Sequence, residues 1–423
     1  MSLKEKNPAM YKKLIRYSNK IFNLFRIIAS ITDERLKPQI PTVKIVAAII
    51  IMHFTNQGSL NNLSQEIAYK NFKKDIPSVS TIARVADTMN LEEIRNIGME
   101  IYAKARKSKM LSDCYGMWVG VVDGHEQITS SYCKCPYCKS RTVTKKGGIK
   151  ETQYYHEFTA FILAGPKISF ILDIEPILPG EGEISSSYRL IERVCKNYPK
   201  AFKIVIGDGL YLKETVFNLL EKHHKHAIAV LKEERRQLFE EANRLSLLSE
   251  PKVYRQKKTY YRVWDHSIEG CWDGYGKKVR VIVSEEVTPG RVHSKDGRSF
   301  EDKLNRANWM WVTNLPCPES VDLVDLKNTV RICHSRWQIE NQCFNETVNT
   351  WNADHIYRHS KNAIIVFLLL LFIAVNIFNI FRIRNIKDRS IKTKIYLIEL
   401  IKAGFHTARN PLPLVPTIPP IPI

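Results

Sequence analysis

Three carboxylates, Asp123, Asp208 and Glu340, have the residue type and the sequence context to bind a metal ion. Asp123 closes the β-rich run 117–122, and Asp208 closes a second such run, 202–207. If the two strands are parallel neighbours, their carboxylates meet at one edge of the sheet. Carboxylates held that close repel one another unless a cation lies between them, so the pattern predicts a site for Mg²⁺ or Mn²⁺. The alternative is ordinary turn chemistry, because Gly209 directly follows Asp208.

The elements that must position these aspartates are predicted from hydrophobic periodicity. Two strand-like runs follow Asp123, and two helix–strand units come after them. The predicted elements are strands 154–165 and 167–177, helix 185–198, the Asp208 strand, helix 213–223 and strand 226–232. This order, βββαβαβ, predicts an α/β fold with a ribonuclease H-like mixed sheet flanked by helices, in which the first and fourth strands are parallel neighbours.

The third carboxylate belongs to a predicted helix far downstream. The stretch Leu326–Thr350 has an apolar stripe at helical spacing, which predicts one long helix packed on the core. Arg336 and Glu340 are four residues apart and share an adjoining face. A surface ion pair between these two residues is the alternative to a functional role.

Several short blocks of this sequence resemble a known family. The blocks are Val122–Glu126, Leu178–Glu183, Ile206–Tyr211 and Arg336–Asn341, with weaker agreement at Trp311–Pro316 and Phe344–Glu346. From Trp118 to about Ala363 the chain resembles the DDE insertion-sequence transposases, whose last catalytic helix carries a Tyr-Arg-Glu-Lys signature. The Arg-Trp-x-Ile-Glu block is the most specific of these features.

The resemblance implies a catalytic triad and a mechanism. Asp123, Asp208 and Glu340 would hold two Mg²⁺ (or Mn²⁺) ions about 3.5–4 Å apart. The site would activate a water and then a DNA 3′-hydroxyl for in-line attack on phosphodiester bonds. A serine or tyrosine recombinase would need a nucleophile instead, and nothing in the chain singles one out.

The resemblance also bears on contact with DNA. Arg336 would touch the DNA backbone near the scissile phosphate. Cys333 stands where the family has its tyrosine, and Thr347 stands where it has its lysine. Loss of that lysine removes a phosphate contact rather than a metal ligand, so we expect the triad to be retained. Thr347, or nearby Lys and Arg residues, would then serve DNA binding.

The length of the chain predicts two or three domains. We expect a helical DNA-binding domain, a core in two parts, a β-rich insertion and a C-terminal tail. The N-terminal helices could form a helix-turn-helix module or a plain bundle that covers the catalytic domain. The expected ranges are 1–112 (helical), 113–232 (core, with a Cys-rich hairpin at 124–153), 233–320 (insertion), 321–385 (catalytic helix and buried helix) and 386–423 (helix and Pro-rich tail).

A cysteine-rich segment lies between the first two core strands. Cys133, Cys135 and Cys138, with His125 before them and His156 after them, could close a tetrahedral Cys3His zinc site that pins the hairpin. Free thiols are the alternative. The nine cysteines are otherwise scattered and no signal peptide is apparent, which predicts a reducing, cytoplasmic and nucleoid-associated location.

The insertion and the most apolar run each allow two interpretations. Alternating stretches in 233–320 predict strands, and Trp264 and Trp272 are candidates for stacking on a flipped base, with core packing as the alternative. Ala363–Phe381 is interrupted only by Asn376 and Asn379 and has the length of a marginal membrane span. We predict a buried helix and no membrane association, because this run directly follows the catalytic helix.

The net charge agrees with a nucleic-acid partner. The chain has 64 Lys and Arg against 43 Asp and Glu, a net charge of +21. Binding to the ribosome or to an anionic membrane would also explain this charge. The function expected from the resemblance is a transposase that acts on double-stranded DNA, both terminal inverted repeats and target, as a homodimer in a synaptic complex. The alternatives are a nuclease that only hydrolyses DNA and an inactive, transposase-derived DNA-binding protein.

Overall fold

The computed structural model describes residues 9–69, 76–132, 134–233, 236–293, 300–317, 322–388 and 390–408. The chain is mixed α/β. Its helices are α1 Ala9–Phe22, α2 Leu24–Ile28, α3 Thr42–Phe54, α4 Leu60–Tyr69, α5 Val79–Ala86, α6 Leu91–Lys107, α7 Glu183–Asn197, α8 Glu214–Lys222, α9 Arg236–Leu248, α10 Leu323–His334, α11 Asn345–Trp351, α12 Lys361–Asn385 and α13 Lys394–His406. Its strands are β1 Val119–Glu126, β2 Lys139–Thr144, β3 Lys150–Tyr155, β4 Glu157–Leu163, β5 Phe170–Ile177, β6 Ile204–Gly207, β7 His226–Val230, β8 Lys252–Gln256, β9 Thr259–Ile268, β10 Val279–His293 and β11 Phe300–Thr313.

The chain forms two compact units. The helical unit comprises Met1–Ser112, Gly124–Asn197 and Ile339–Ile423, and the sheet unit comprises Asp113–Asp123 and Tyr198–Gln338. The boundaries therefore fall after Ser112, after Asp123 within β1, after Asn197 and after Gln338. Each unit is built from segments that are distant in sequence.

The sheet unit is built on a mixed sheet in the order β1-β6-β7-β11-β10-β9-β8. The first three strands of this order, β1, β6 and β7, are parallel to one another. From β7 onwards, through β11, β10 and β9 to β8, each strand is antiparallel to its neighbour. All four residues of β6 are buried, as expected for a parallel strand covered on both faces. The strands and helices predicted around Asp208 are confirmed, with ends that shift by at most two residues.

The insertion extends this same sheet. The predicted strand stretches are confirmed as parts of β9, β10 and β11, and the long β10–β11 pair joins the sheet through β7. Helix α9 was not predicted. Trp264 and Trp272 are both buried, and Trp272 packs against the rings of Phe217 and Tyr275. Core packing is therefore the role of these two tryptophans, and the proposed base stacking is wrong for them.

The helical unit has α12 at its centre. This helix packs on α3, α6 and β5, and 94% of its most apolar 18-residue window is buried. It is the one helix among the described residues that is long and apolar enough to cross a membrane. Its burial agrees with the prediction of a core helix.

Two polar side chains of α12 explain the interruptions in its apolar run. The amide of Asn376 donates to Ile171 O at 2.8 Å and accepts from Ile171 N at 3.0 Å. Ile171 lies at the register shift between β4 and β5. Asn379 donates to Glu346 Oε1 at 3.2 Å. Both asparagines are buried and take part in hydrogen bonds that hold the unit together.

Two predicted elements are divided in the structure, one within the helical unit and one that continues from the sheet unit into it. The predicted strand 154–165 is split at His156 into the end of β3 and the whole of β4. The predicted helix Leu326–Thr350 is also interrupted. It turns at Ser335, whose hydroxyl donates to Ile332 O at 2.6 Å, and contains a π-helical segment at Ile339–Phe344 before α11. An apolar stripe counted at 3.6 residues per turn does not reveal such a wider turn.

Candidate active site

Asp123 and Asp208 lie at matching positions beyond two paired parallel strands. β1 and β6 pair from Val119 opposite Ile204 to Val121 opposite Ile206. Continuing this register by two residues places Asp123 opposite Asp208. Adjacent strands lie about 4.8 Å apart, so the backbones at these two positions are neighbours.

The two aspartates differ in their local backbone. Asp208 directly follows the last residue of β6, as predicted, whereas Asp123 is followed by three further strand residues. The expectation that Asp123 ends its strand is therefore wrong. Burial changes at this point, since β1 is fully buried up to Val122 and only partly buried from Asp123 onwards. The carboxylate thus lies where the strand leaves the core.

A short 3₁₀ turn fixes Asp208. Its Oδ1 accepts the Leu210 N–H at 2.8 Å and caps the turn Gly209–Tyr211. Among the described residues, its other carboxylate oxygen makes no hydrogen bond. A Cβ on Gly207 would lie 2.3 Å from Cγ of the buried Tyr211, so only glycine fits there. Turn chemistry and a ligand role are compatible at Asp208, because each uses a different oxygen.

Arg336 is held beside Asp123. Its Nη1 lies 3.3 Å from Asp123 Oδ2, and the two side chains are 14% and 17% exposed. The guanidinium carbon lies 5.1 Å from the centre of the Trp337 ring, which is 41% exposed and meets Trp309 edge-on. A mostly buried cation beside one carboxylate offsets part of the repulsion that two neighbouring carboxylates create.

The remaining signature positions lie in different surroundings. Glu340 is half-buried on the π-helical segment, which belongs to the helical unit. Thr347 is 1% exposed and donates its hydroxyl to Cys343 O at 2.6 Å. The expectation that the Thr347 side chain contacts DNA is therefore wrong, because its hydroxyl is buried and bonded to the backbone of the preceding turn. Cys333 is fully buried, and burial raises the pKa of its thiol far above the ordinary value, so it is an inert core residue.

The donor chemistry at Asp123 and Asp208 fits a hard divalent cation. Mg²⁺ and Mn²⁺ prefer carboxylate oxygens and water, and two carboxylates at adjacent strand positions offer these ligands without soft donors. Asp123 already pairs with one cationic group, the guanidinium of Arg336. The residues present are compatible with the metal that the sequence predicts.

A second cluster with metal-ligand character lies in the helical unit. It comprises Cys135, Cys138, His156 and His359, whose ligand atoms all lie within 4.8 Å of one another. The Cys135 and Cys138 Sγ atoms are 3.6 Å apart, and they lie 3.4 and 3.3 Å from His156 Nε2. Burial, with a smaller effect of neighbouring His359, lowers the pKa of His156 to about 4. The imidazole is therefore neutral at pH 7 and has a lone pair for a metal.

This cluster differs from the predicted zinc ligands. His125 is not part of it: its Nε2 lies 2.8 Å from Asp354 Oδ1, and its ring stacks on Phe344 at 4.7 Å. Cys133 lies outside the described residues. His359 was missed, because it follows the cysteines by more than two hundred positions. The spacing His355-x-x-x-His359 was the one local signal that could have drawn attention to it.

The predicted helix-turn-helix region is described in part. Both helices exist, as α4 and α5, and Ser78 caps the start of α5 by accepting from Thr81 N at 3.3 Å. The linking residues 70–75 lie outside the described residues. The proposed DNA-reading geometry therefore stays a prediction.

No protein-family model matches the chain, and no curated protein matches it. Among solved structures it is similar to a piggyBac transposase in a synaptic complex with hairpin DNA, with a TM-score of 0.45 and 10% sequence identity. The match covers 94% of this chain and 79% of that chain. A similarity of this strength does not define a family or an activity, so the functional argument depends on the geometry and the sequence motifs.

Proposed function

We propose that this chain is a transposase of the DDE type with a ribonuclease H-like core. It would bind the inverted-repeat ends of its own element and catalyse metal-dependent DNA cleavage and strand transfer. The observation that carries the proposal is the register of β1 and β6, which brings Asp123 opposite Asp208. The two aspartates follow paired parallel strands that are more than eighty residues apart in sequence, and this convergence of two carboxylates supports a functional role for them.

The third carboxylate is assigned from the sequence. Glu340 follows Arg336 by four residues within the block that resembles the family signature. We propose that it completes the ligand set with Asp123 and Asp208. Its π-helical segment is a type of irregularity that is frequent at functional sites.

The residues of the sheet unit have distinct roles in this proposal. Asp123 and Asp208 hold the cations through their oxygens. Bound there, Mg²⁺ or Mn²⁺ would promote deprotonation of an attacking hydroxyl and neutralise charge on the phosphate. Arg336 exchanges its contact with Asp123 for a DNA phosphate, and the partly exposed Trp337 supports the guanidinium.

The proposal extends to the partners of the protein. A net charge of +21 provides the attraction that DNA backbones require, and this attraction weakens with salt. Two ends must be handled together, so the working form would be a homodimer in a synaptic complex. The location would be the cytoplasm, in association with the nucleoid.

The test uses the full chain and its own DNA. The substrate is a supercoiled plasmid that carries the coding sequence with its native flanking DNA, incubated with Mg²⁺ or Mn²⁺ and a second plasmid as target. The variants are Asp123→Asn, Asp208→Asn and Glu340→Gln, and Asp273→Asn is the matched control, because Asp273 is an exposed carboxylate in the sheet unit. Wild-type protein should cut at the element ends and join them to target DNA. Each triad variant should lose at least about a thousandfold of this activity, equal to several kcal/mol, yet bind DNA.

Two other outcomes would overturn the proposal, and a third would remove Glu340 from it. Nicks without joined products would indicate a nuclease that only hydrolyses. Binding without cleavage by the wild type, unchanged in the variants, would indicate an inactive DNA-binding protein. Full activity of Glu340→Gln with loss in both aspartate variants would remove Glu340 from the site.

A further inference from the structure

We propose that Cys135, Cys138, His156 and His359 bind one structural zinc ion, independently of the carboxylate site. Two thiolates and two imidazoles are the donors that Zn²⁺ prefers in closed, four-coordinate sites. All four ligand atoms already lie within 4.8 Å of one another, and all four residues belong to the helical unit. This proposal does not depend on the proposed function.

The distances within the cluster have the size of a tetrahedral coordination shell. Zn–S bonds of about 2.3 Å and Zn–N bonds of about 2.0–2.1 Å give S–S edges of ~3.8 Å and S–N edges of ~3.6 Å. The observed Sγ–Sγ separation is 3.6 Å, and the two Sγ–Nε2 separations are 3.4 and 3.3 Å. A disulfide would require sulfurs about 2.05 Å apart, so the two cysteines are placed as neighbouring ligands rather than as a bonded pair.

The local backbone fixes three of the ligands. Cys138 N donates to Cys135 O at 3.0 Å, which closes a tight turn with Pro136 at its second position. The Cys135 N–H donates to Cys138 Sγ at 3.2 Å, an interaction that stabilises a thiolate. His156 is the single residue between β3 and β4, so its backbone is held on both sides. The turn and the strand junction pre-position the donors.

The charge balance suits a half-buried site. Each cysteine must lose its thiol proton to solvent when the ion binds, so two protons are released for each zinc bound. Two thiolates then neutralise the double charge of the ion. With four protein ligands no position remains for water or substrate, which makes this ion structural rather than catalytic.

The ion would join two segments that other contacts already bring together. His359 comes from the stretch after α11, whereas the other ligands come from the hairpin that follows β1. Between the same two segments, His125 Nε2 lies 2.8 Å from Asp354 Oδ1, and Gln127 Nε2 donates to Ala353 O at 3.0 Å. The zinc would therefore crosslink the hairpin that follows β1 to the segment that follows α11.

The first measurement is metal content. Full-length protein purified without chelator should contain one zinc per chain by inductively coupled plasma mass spectrometry. Cys138→Ser and His359→Gln should fall well below one equivalent. His125→Gln and His355→Gln are the matched controls, and they should keep one equivalent, since neither residue is in the cluster.

The second measurement uses the wild-type protein, so it tests the site even if a variant fails to fold. Wild-type protein loaded with Co²⁺ should show the visible absorption of a tetrahedral centre, with thiolate charge transfer for two sulfurs. Absence of stoichiometric metal together with no Co²⁺ spectrum would overturn the proposal. Retention of zinc in His359→Gln together with its loss in His125→Gln would also overturn the proposal. So would a Cys135–Cys138 disulfide in protein that was purified under reducing conditions.

Discussion

Nη1 of Arg336 lies 3.3 Å from Oδ2 of Asp123, and both side chains are largely shielded from solvent. In a site that should bind cations, a resident guanidinium competes with the metal for the same carboxylate oxygen. If Asp123 is a metal ligand, as proposed, the contact couples metal binding to the position of Arg336. It suggests an exchange in which DNA phosphate and metal together replace an internal ion pair.

Removal of the Arg336 charge should separate metal affinity from activity. We expect Arg336→Gln to tighten Mn²⁺ binding up to about tenfold, or about 1.4 kcal/mol, because a competing cation is lost. DNA cleavage should fall, because a phosphate contact is lost as well. Isothermal titration with Mn²⁺ measures the first effect and the plasmid assay measures the second. Arg291→Gln, at a 73% exposed position, is the control and should change neither. Weaker Mn²⁺ binding in Arg336→Gln would contradict the exchange.

The turn after β6 should be intolerant of a single methyl group. In Gly207→Ala the new Cβ would meet Tyr211 Cγ at 2.3 Å, and that ring is buried, so the clash is with packed core. We expect a loss of about 1–3 kcal/mol in the free energy of unfolding, with reduced Mn²⁺ affinity because Asp208 is displaced. Gly182→Ala is the control, since nothing lies within 4 Å of its added Cβ. Chemical denaturation measures both, and equal stability of the two variants would refute the steric argument.

A buried ion-pair network should be important for the helical unit. Asp173 is 2% exposed and receives Arg193 Nε at 2.7 Å and Arg95 Nε at 3.2 Å. Asp173→Asn leaves two largely buried guanidinium groups with less compensation, so we expect a loss of about 3 kcal/mol in the free energy of unfolding. Asp302→Asn is the control, because Asp302 is 88% exposed in its pair with Arg291. It should leave the denaturation midpoint unchanged. A similar shift in both variants would argue against the network.

One buried histidine should contribute to acid sensitivity. Burial lowers the pKa of His53 from 6.5 to about 3. The unfolded chain therefore takes up a proton below pH 6.5 that the folded chain excludes. This contribution to stability is fully present above pH 6.5 and is lost as the pH falls, at about 1.4 kcal/mol per unit, or about 2 kcal/mol by pH 5.

The substitution His53→Leu should remove this contribution. Urea denaturation between pH 5 and pH 7 should show a shallower loss of stability than in the wild type. His224→Asn is the control, because His224 is exposed and its backbone has a positive φ that asparagine tolerates. Its pH profile should follow that of the wild type. If His53→Leu does the same, the buried imidazole is not a source of the acid sensitivity.

The sequence predicted the parts of the site that local patterns encode. The runs that end before Asp123 and Asp208 are apolar, short and bounded by polar residues, so their strands could be recognised. The order of elements between them then predicted the parallel pairing of β1 with β6, which the register confirms. Glu340 was singled out by its spacing from Arg336 and by the resemblance. These features lie within a few residues of each other or follow from chain order.

The features that were missed depend on long-range packing. His359 joins the cysteine cluster only because the folded chain returns to the hairpin, and no periodicity signals such a return. The π-helical segment at Ile339–Phe344 changes the helical phase without any glycine or proline to mark it. Thr347 was proposed as a DNA contact by position in a motif, whereas its burial is set by tertiary packing. The order of elements along the chain thus predicts the sheet topology, whereas the burial of a given side chain is known only from the folded structure.

The two hydrogen bonds between Asn376 and Ile171 have a consequence for contacts between copies of the protein. Within the described residues β5 pairs with β4 alone, and an unpaired strand edge is where a further strand can add. The amide of Asn376 occupies both backbone groups of Ile171 from within the same chain. A second copy cannot add a strand across this residue, and any docking on that side must use side chains. The asparagine that interrupts the apolar helix therefore also closes the β5 edge to strand addition at Ile171.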